Sequence, residues 1–173
     1  MGTIYDLFEE SKGQPVSYKE HILVRADKFP VKNDDTLIAS IEKTNAEKRQ
    51  GFVIDITGSC EMNGRIIKQG KGIRLLFWED TMPKQVEIKV FTKQDFVLVY
   101  NIWENINTYL IRSPTGEPMK KESKATAYGH NGAAMIVEDI ENGRRYRCND
   151  GYPDEDFNDI LFTIHKLKSQ SDP

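Results

Sequence analysis

The chain has 173 residues, with 24 Lys plus Arg against 27 Asp plus Glu and a net charge of −3. A hydrophobic share of 38% supplies a packed core and excludes wholesale disorder. The charge balance offers no basic field for nucleic acid, and no window approaches the roughly 18 uncharged apolar residues of a membrane span, so neither partner is expected.

The opening residues Met1–Glu10 lack a basic n-region and an apolar h-region. The expectation is a soluble protein made in the cytoplasm without a cleavable signal peptide. Ile4, Leu7 and Phe8 have helical spacing, and Lys12-Gly13-Gln14-Pro15 ends that stretch. His21-Ile22-Leu23-Val24 reads as a short strand. Asn33-Asp34-Asp35-Thr36 offers a cap for a helix over Leu37–Glu42, and the polar run to Gln50 reads as its end or as an exposed connection.

From Gly51 the texture is β-rich. Strands are expected at Phe52–Thr57, on both sides of the Asn63-Gly64 turn, at Ile73–Trp78 and at Val86–Val90. Further strands are expected at Phe96–Tyr100, Trp103–Ile111, Ala133–Glu138, Arg144–Cys148 and Ile160–Ile164. Pro114-Thr115-Gly116-Glu117-Pro118 and Asn142-Gly143 read as turns. Short strands with frequent turn signals predict an all-β fold, an antiparallel β-sandwich of Greek-key or jelly-roll type. Residues 51–167 form that domain and 168–173 a polar tail. Residues 1–50 are an extension, either partly helical or made of the first strands of the same sandwich. Cys60 and Cys148 lack metal-ligand spacing, so one disulfide and two buried thiols both stay open.

One segment carries chemistry. Asn149-Asp150-Gly151-Tyr152-Pro153-Asp154-Glu155-Asp156-Phe157-Asn158-Asp159 holds five carboxylates and two side-chain amides in eleven residues. Clustered carboxylates are costly unless a cation neutralises them. Oxygen-only donors suit Ca²⁺, and no His or Cys lies inside the run for zinc or copper. In an extended segment Asp154, Asp156 and Asn158 would share one side while Phe157 points to the core. Asp154, Asp156 and Asn158 have the first, third and fifth spacing of an EF-hand. The sixth position is Asp159 rather than Gly and the twelfth is His165 rather than Glu, so an EF-hand is rejected.

The stretch Asp154-Glu155-Asp156-Phe157-Asn158-Asp159, preceded by Asp150-Gly151 and followed by Ile160-Leu161-Phe162, resembles the calcium loop of the calcium-mediated bacterial lectins. That loop reads Glu-Asp-Gly, a spacer, then Asp-x-Asp-Tyr-Asn-Asp. Here Tyr152-Pro153 makes the spacer one residue longer. The resemblance implies Asp154, Asp156, Asn158 and Asp159 as ligands of one or two Ca²⁺ ions. Asn149 or Asp150 would stand at the leading Glu, and Asn101 or Asn105 at an Asn supplied by an early strand. It also implies carbohydrate as partner, bound through the ion with no catalysis, and leaves room for a homo-oligomer and for action outside the cell.

Two other readings are kept. The ion is purely structural and pins the last hairpin, or acid pairs such as Glu79-Asp80 and Glu138-Asp139 make the protein a hydrolase. Trp78, Tyr100 and Tyr109 read first as core, whereas Trp103, set among Asn101, Glu104 and Asn105, is a candidate sugar contact. His130 reads as a lone loop histidine.

Overall fold

A computed structural model describes residues 3–129, 133–150 and 156–167. The fold is an all-β sandwich of two antiparallel sheets. The elements are α1 (Ile4–Glu10), β1 (Val16–Tyr18), β2 (His21–Val24), β3 (Asp27–Pro30), β4 (Thr36–Thr44), β5 (Gln50–Ile56), β6 (Gly58–Met62) and β7 (Arg65–Ile67). They continue with β8 (Ile73–Trp78), β9 (Val86–Thr92), β10 (Phe96–Arg112), β11 (Pro118–Ala127), β12 (Ala134–Ile140), β13 (Gly143–Asn149) and β14 (Ile160–Lys166). Among the described residues one sheet has nine strands in the order β1-β2-β12-β13-β14-β4-β9-β6-β7. The other runs β11-β10-β5-β8, with β3 also paired to β10.

The two sheets meet in one core. Alternation along β9 buries Val86, Ile88 and Val90, and along β8 it buries Ile73, Leu75 and Phe77. Phe52 of the small sheet stacks on Phe162 of the large one at 4.2 Å, and Tyr146 stacks on the same ring at 4.7 Å. Full burial of such a ring stabilises by about 1.5–3 kcal/mol.

The stretch expected as a helix at Leu37–Glu42 is instead the middle of β4. Its local cap signal is real in another form, because Asp35 Oδ2 accepts the Lys32 N–H at 2.7 Å in a turn. Pairing with β14 on one side and β9 on the other then supplies a full ladder for Leu37, Ile38 and Ala39, all buried. Tertiary pairing outweighs a helical propensity of a few tenths of a kcal/mol per residue. Strands β1 to β4 all lie within the first fifty residues and pair into the sandwich, β3 to the small sheet and the others to the large one.

Helix α1 starts at a Thr3–Asp6 capping box and buries Ile4 and Phe8 beside Val16, Leu23, Ala134 and Phe157. The Arg25 guanidinium lies 4.7 Å from the Phe8 ring centroid and 5.6 Å from that of Tyr5, which ties the helix to the chain just after β2.

The two strands expected at Phe96–Tyr100 and Trp103–Ile111 are one strand of 17 residues, β10. Beyond Glu104, among the described residues, it pairs only with β11, a strand the polar run Lys120–Lys124 gave no reason to expect. This two-stranded arm is exposed on both faces from Ile106 to Arg112 and from Pro118 to Thr126.

Cys60 and Cys148 are both free and buried, so the open choice resolves to two thiols. Burial pushes both thiols up, and the Asp159 charge adds to the shift at Cys148. Burial, then Asp27, likewise raises the Tyr146 phenol, whose O–H donates to Asp27 Oδ2 at 2.7 Å. A raised folded pKa means the unfolded chain loses its protons first, so stability is complete below about pH 8.5 and falls as pH climbs into the alkaline range. Urea midpoints measured from pH 7 to 11 are expected to decline above about pH 9. A flat profile to pH 10.5 would contradict the burial of these groups.

Candidate functional site

The β13–β14 connection opens at the end of β13, where the chain turns buried polar groups inward. Asn149 is 0% exposed, and Asp150 and Asp159 are each 2% exposed. The Asp159 N–H donates to the Cys148 carbonyl at 3.0 Å, and Asp159 O accepts from Asn45 N at 3.0 Å. This places the Asp159 carboxylate to accept the Asp150 N–H at 2.8 Å. Asp150 Oδ2 in turn accepts from Gln50 Nε2 at 3.1 Å. Asn101 Nδ2 donates to the Asn149 carbonyl at 2.9 Å. Two strands of the small sheet, β5 and β10, therefore hold the loop of the large sheet.

Gln50, at the start of β5, is 0% exposed, and its Oε1 is buried without a hydrogen-bond partner among the described residues. Asn149 Nδ2 is likewise unpartnered. A buried polar atom left unpaired costs about 1–3 kcal/mol, so each calls for a physical reason. Sequence reasoning named Asn149, Asp150 and Asp159 but missed Gln50. That residue ends a polar run, and nothing local distinguishes it. Asn101 was offered together with Asn105. Asn101 reaches the loop, while Asn105 Oδ1 accepts from Lys48 Nζ.

Phe157 is buried in the α1 cluster, as its place in the acidic run suggested. It reaches the core by a left-handed turn with φ 54°, not by an extended segment. A bulky residue there is strained by about 1–3 kcal/mol. Its N–H donates to Asn149 Oδ1 at 2.7 Å, which holds the turn.

Asp156 is exposed and Asn158 half-buried. The Asn158 amide lies 2.7 and 2.8 Å from the two Asp156 carboxylate oxygens. With its nitrogen there the amide donates to both. Asp154 lies outside the described residues, as do Glu155 and His130. Among the described residues no three His, Cys, Asp or Glu side chains are grouped to hold a metal ion. The cluster that is seen joins two carboxylates to amide groups.

Trp103 is corrected as a sugar contact. It is 1% exposed and packed with Ala127 and Ala133, because β11 and the chain before β12 cover its ring. Trp78 carries the Arg49 guanidinium over its ring at 4.3 Å. Tyr109, out on the arm, is 48% exposed. The acid pairs weighed for hydrolysis face arginines: Asp80 bonds Arg49 at 2.7 Å, Glu138 meets Arg147 at 2.8 Å and Asp139 meets Arg144 at 3.3 Å. No helix of the described residues is long and apolar enough to cross a membrane. No protein-family model, no curated protein and no solved structure matches the chain, so the lectin resemblance stands on the loop residues alone.

Proposed function

We propose that the protein is a non-catalytic, calcium-dependent carbohydrate-binding β-sandwich whose β13–β14 loop holds the ion. The observation that carries the reading is the Gln50 amide. Its nitrogen bonds buried Asp150, and its oxygen, on the same amide group, has no partner among the described residues. That oxygen belongs to an amide bonded to the buried Asp150 carboxylate, and the Asp150 N–H bonds the Asp159 carboxylate, which together suit a hard cation. The residues fit Ca²⁺ in chemistry, with Asp150, Asp159 and Gln50 on the inner side and Asp156 with Asn158 at the exposed rim. Asp154 joins them by its place in the sequence.

Bound there, Ca²⁺ would offer positions to vicinal sugar hydroxyls, as the resemblance implies. The chain's own residues prepare the loop. Asn101 fixes the Asn149 carbonyl, Asn149 fixes the Phe157 turn, and Phe157 anchors the loop to α1. A second reading, a purely structural ion, is favoured by the burial of Asp150 and Asp159 at 2% exposure each.

Calorimetric titration of Ca²⁺ followed by a glycan array, each with and without chelator, separates them. The lectin reading expects Ca²⁺ binding and chelator-sensitive glycan retention, with retention lost in Asp156→Asn. Ca²⁺ binding with no glycan retained leaves the structural reading. No Ca²⁺ binding sinks both.

A further inference from the structure

The opposite end of the sandwich carries a second site of contrary charge. Strand β4 runs from Thr36 at one end to Thr44 at the other, and Asn45 after it touches the acidic loop through Asp159. At about 3.3 Å per residue, its start lies some 30 Å from that loop. Around that start is a cleft of about 520 Å³, within the size range of small-ligand pockets.

Three lysines line it, and they come from separate positions: Lys68 just after β7, Lys71 in the following turn, and Lys93 between β9 and β10. Among the described residues no acidic side chain lines it. In a chain with 27 acidic against 24 basic residues, that local excess runs against the overall balance. The nearby Asp35 is committed elsewhere, to the Lys32 N–H at 2.7 Å and to Lys166 at 3.5 Å. Glu61, on the neighbouring strand, stands opposite Lys89 in the register.

The walls are built for close approach. Ser59 and Phe91 are cross-strand partners of β6 and β9, and both line the cleft. Inward alternation of Val86, Ile88 and Val90 puts Phe91 on the outer face of the sheet, where it is half-buried. Gly58, also lining, has φ +148°, and a Cβ there would meet the Phe91 carbonyl at 2.0 Å. Only glycine lets the two strands close at this corner. Thr92 is fixed, its N–H donating to Asn33 Oδ1 at 3.0 Å and its hydroxyl to the Thr57 carbonyl at 2.7 Å.

A cleft lined by one sign of charge over low-dielectric walls concentrates the field on whatever enters it. Lys68, Lys71 and Lys93 are exposed, and their flexible stems can bring ammonium groups onto an anion in the cleft. Lysine supplies a compact point charge that suits the oxygens of a tetrahedral anion. The Phe91 ring beside them offers an apolar surface to the body that carries the anion.

We propose that this cleft binds a small molecule bearing a phosphate or sulfate ester, its charged group held by Lys68, Lys71 and Lys93 and its body lying against Phe91. The site is independent of the calcium reading, both in position and in chemistry.

The test is amide-shift mapping by ¹⁵N NMR, with chelator present and ionic strength held constant with chloride. The probes are a hexose 6-phosphate, a hexose 6-sulfate and the uncharged hexose. The expected result is saturable shifts at Gly58, Ser59, Gly70 and Gln94 with the esters and none with the hexose. A stronger phosphate response points to a phosphorylated metabolite, and a stronger sulfate response to a sulfated glycan. Each single Lys→Gln change should weaken binding roughly threefold to fivefold. The triple K68Q/K71Q/K93Q variant, checked for an unchanged melt, should lose it. Shifts that chloride alone reproduces, that persist in the triple variant, or that map to another face would overturn the proposal.

Discussion

Adding Ca²⁺ in excess is expected to raise the melting temperature, whereas chelator lowers it and Mg²⁺ at matched ionic strength does little. A ligand that binds only the folded state stabilises it by about 2.7 kcal/mol at a hundred times its Kd. For a chain of this length that is a rise of roughly 5–10 °C. The response depends on carboxylates that the fold already buries together, Asp150 and Asp159. Asp159→Asn is the informative variant. It keeps an oxygen to accept the Asp150 N–H but removes the charge. Its melt in chelator should stay near that of the parent, and its Ca²⁺ response should vanish. An unchanged Ca²⁺ response in Asp159→Asn would remove this cluster from the site. No response in the parent would mean that hydrogen bonds alone close the loop.

Phe157→Ala is expected to be the most damaging single change near the loop. Truncating a buried phenylalanine costs about 3–5 kcal/mol. Phe157 packs with Ile4 and Phe8 of α1 and with Leu23 and Ala134. Its loss should therefore release the helix as well as the loop, seen as faster amide exchange in α1 and at the start of β14. Ca²⁺ affinity should fall with it, because the ordering of the loop is then paid at binding. Phe157→Gly gives an internal control. With φ 54° at this position, glycine relieves backbone strain that alanine retains, by about 1 kcal/mol. Glycine should thus be the milder of the two in urea unfolding, although it removes more side chain. The reverse order would show that the left-handed turn is not the native conformation.

Much of the sandwich was legible from the chain. Val86, Ile88 and Val90 alternate because one face of β9 is core, and turns fall at Asn63-Gly64 and at Asn142 because Asn and Gly adopt positive φ at low cost. The composition of the acidic run was equally plain, as was the apolar Phe157 inside it. Two elements were not. Leu37–Ile41 has no strict alternation, since Ile38 is buried on the face opposite Leu37 and Ala39, and the strand's neighbours β14 and β9 lie far away in sequence. Strand β11 has no buried face before Ala127, so no hydrophobic period marks it.

The sequence by itself determined the fold class and the chemistry of the loop, because strand periodicity and oxygen-rich side chains are local properties. Only the tertiary structure decided which groups meet there. Antiparallel pairing of β5 with β10 brings Gln50 opposite Trp103, and the small sheet then presses Gln50 and Asn101 against Asn149 and Asp150. The same packing hides Trp103 and gathers Lys68, Lys71 and Lys93 at the far end. Such meetings depend on contacts between residues as much as a hundred positions apart. No local pattern encodes them, because burial and hydrogen-bond satisfaction are properties of the packed whole.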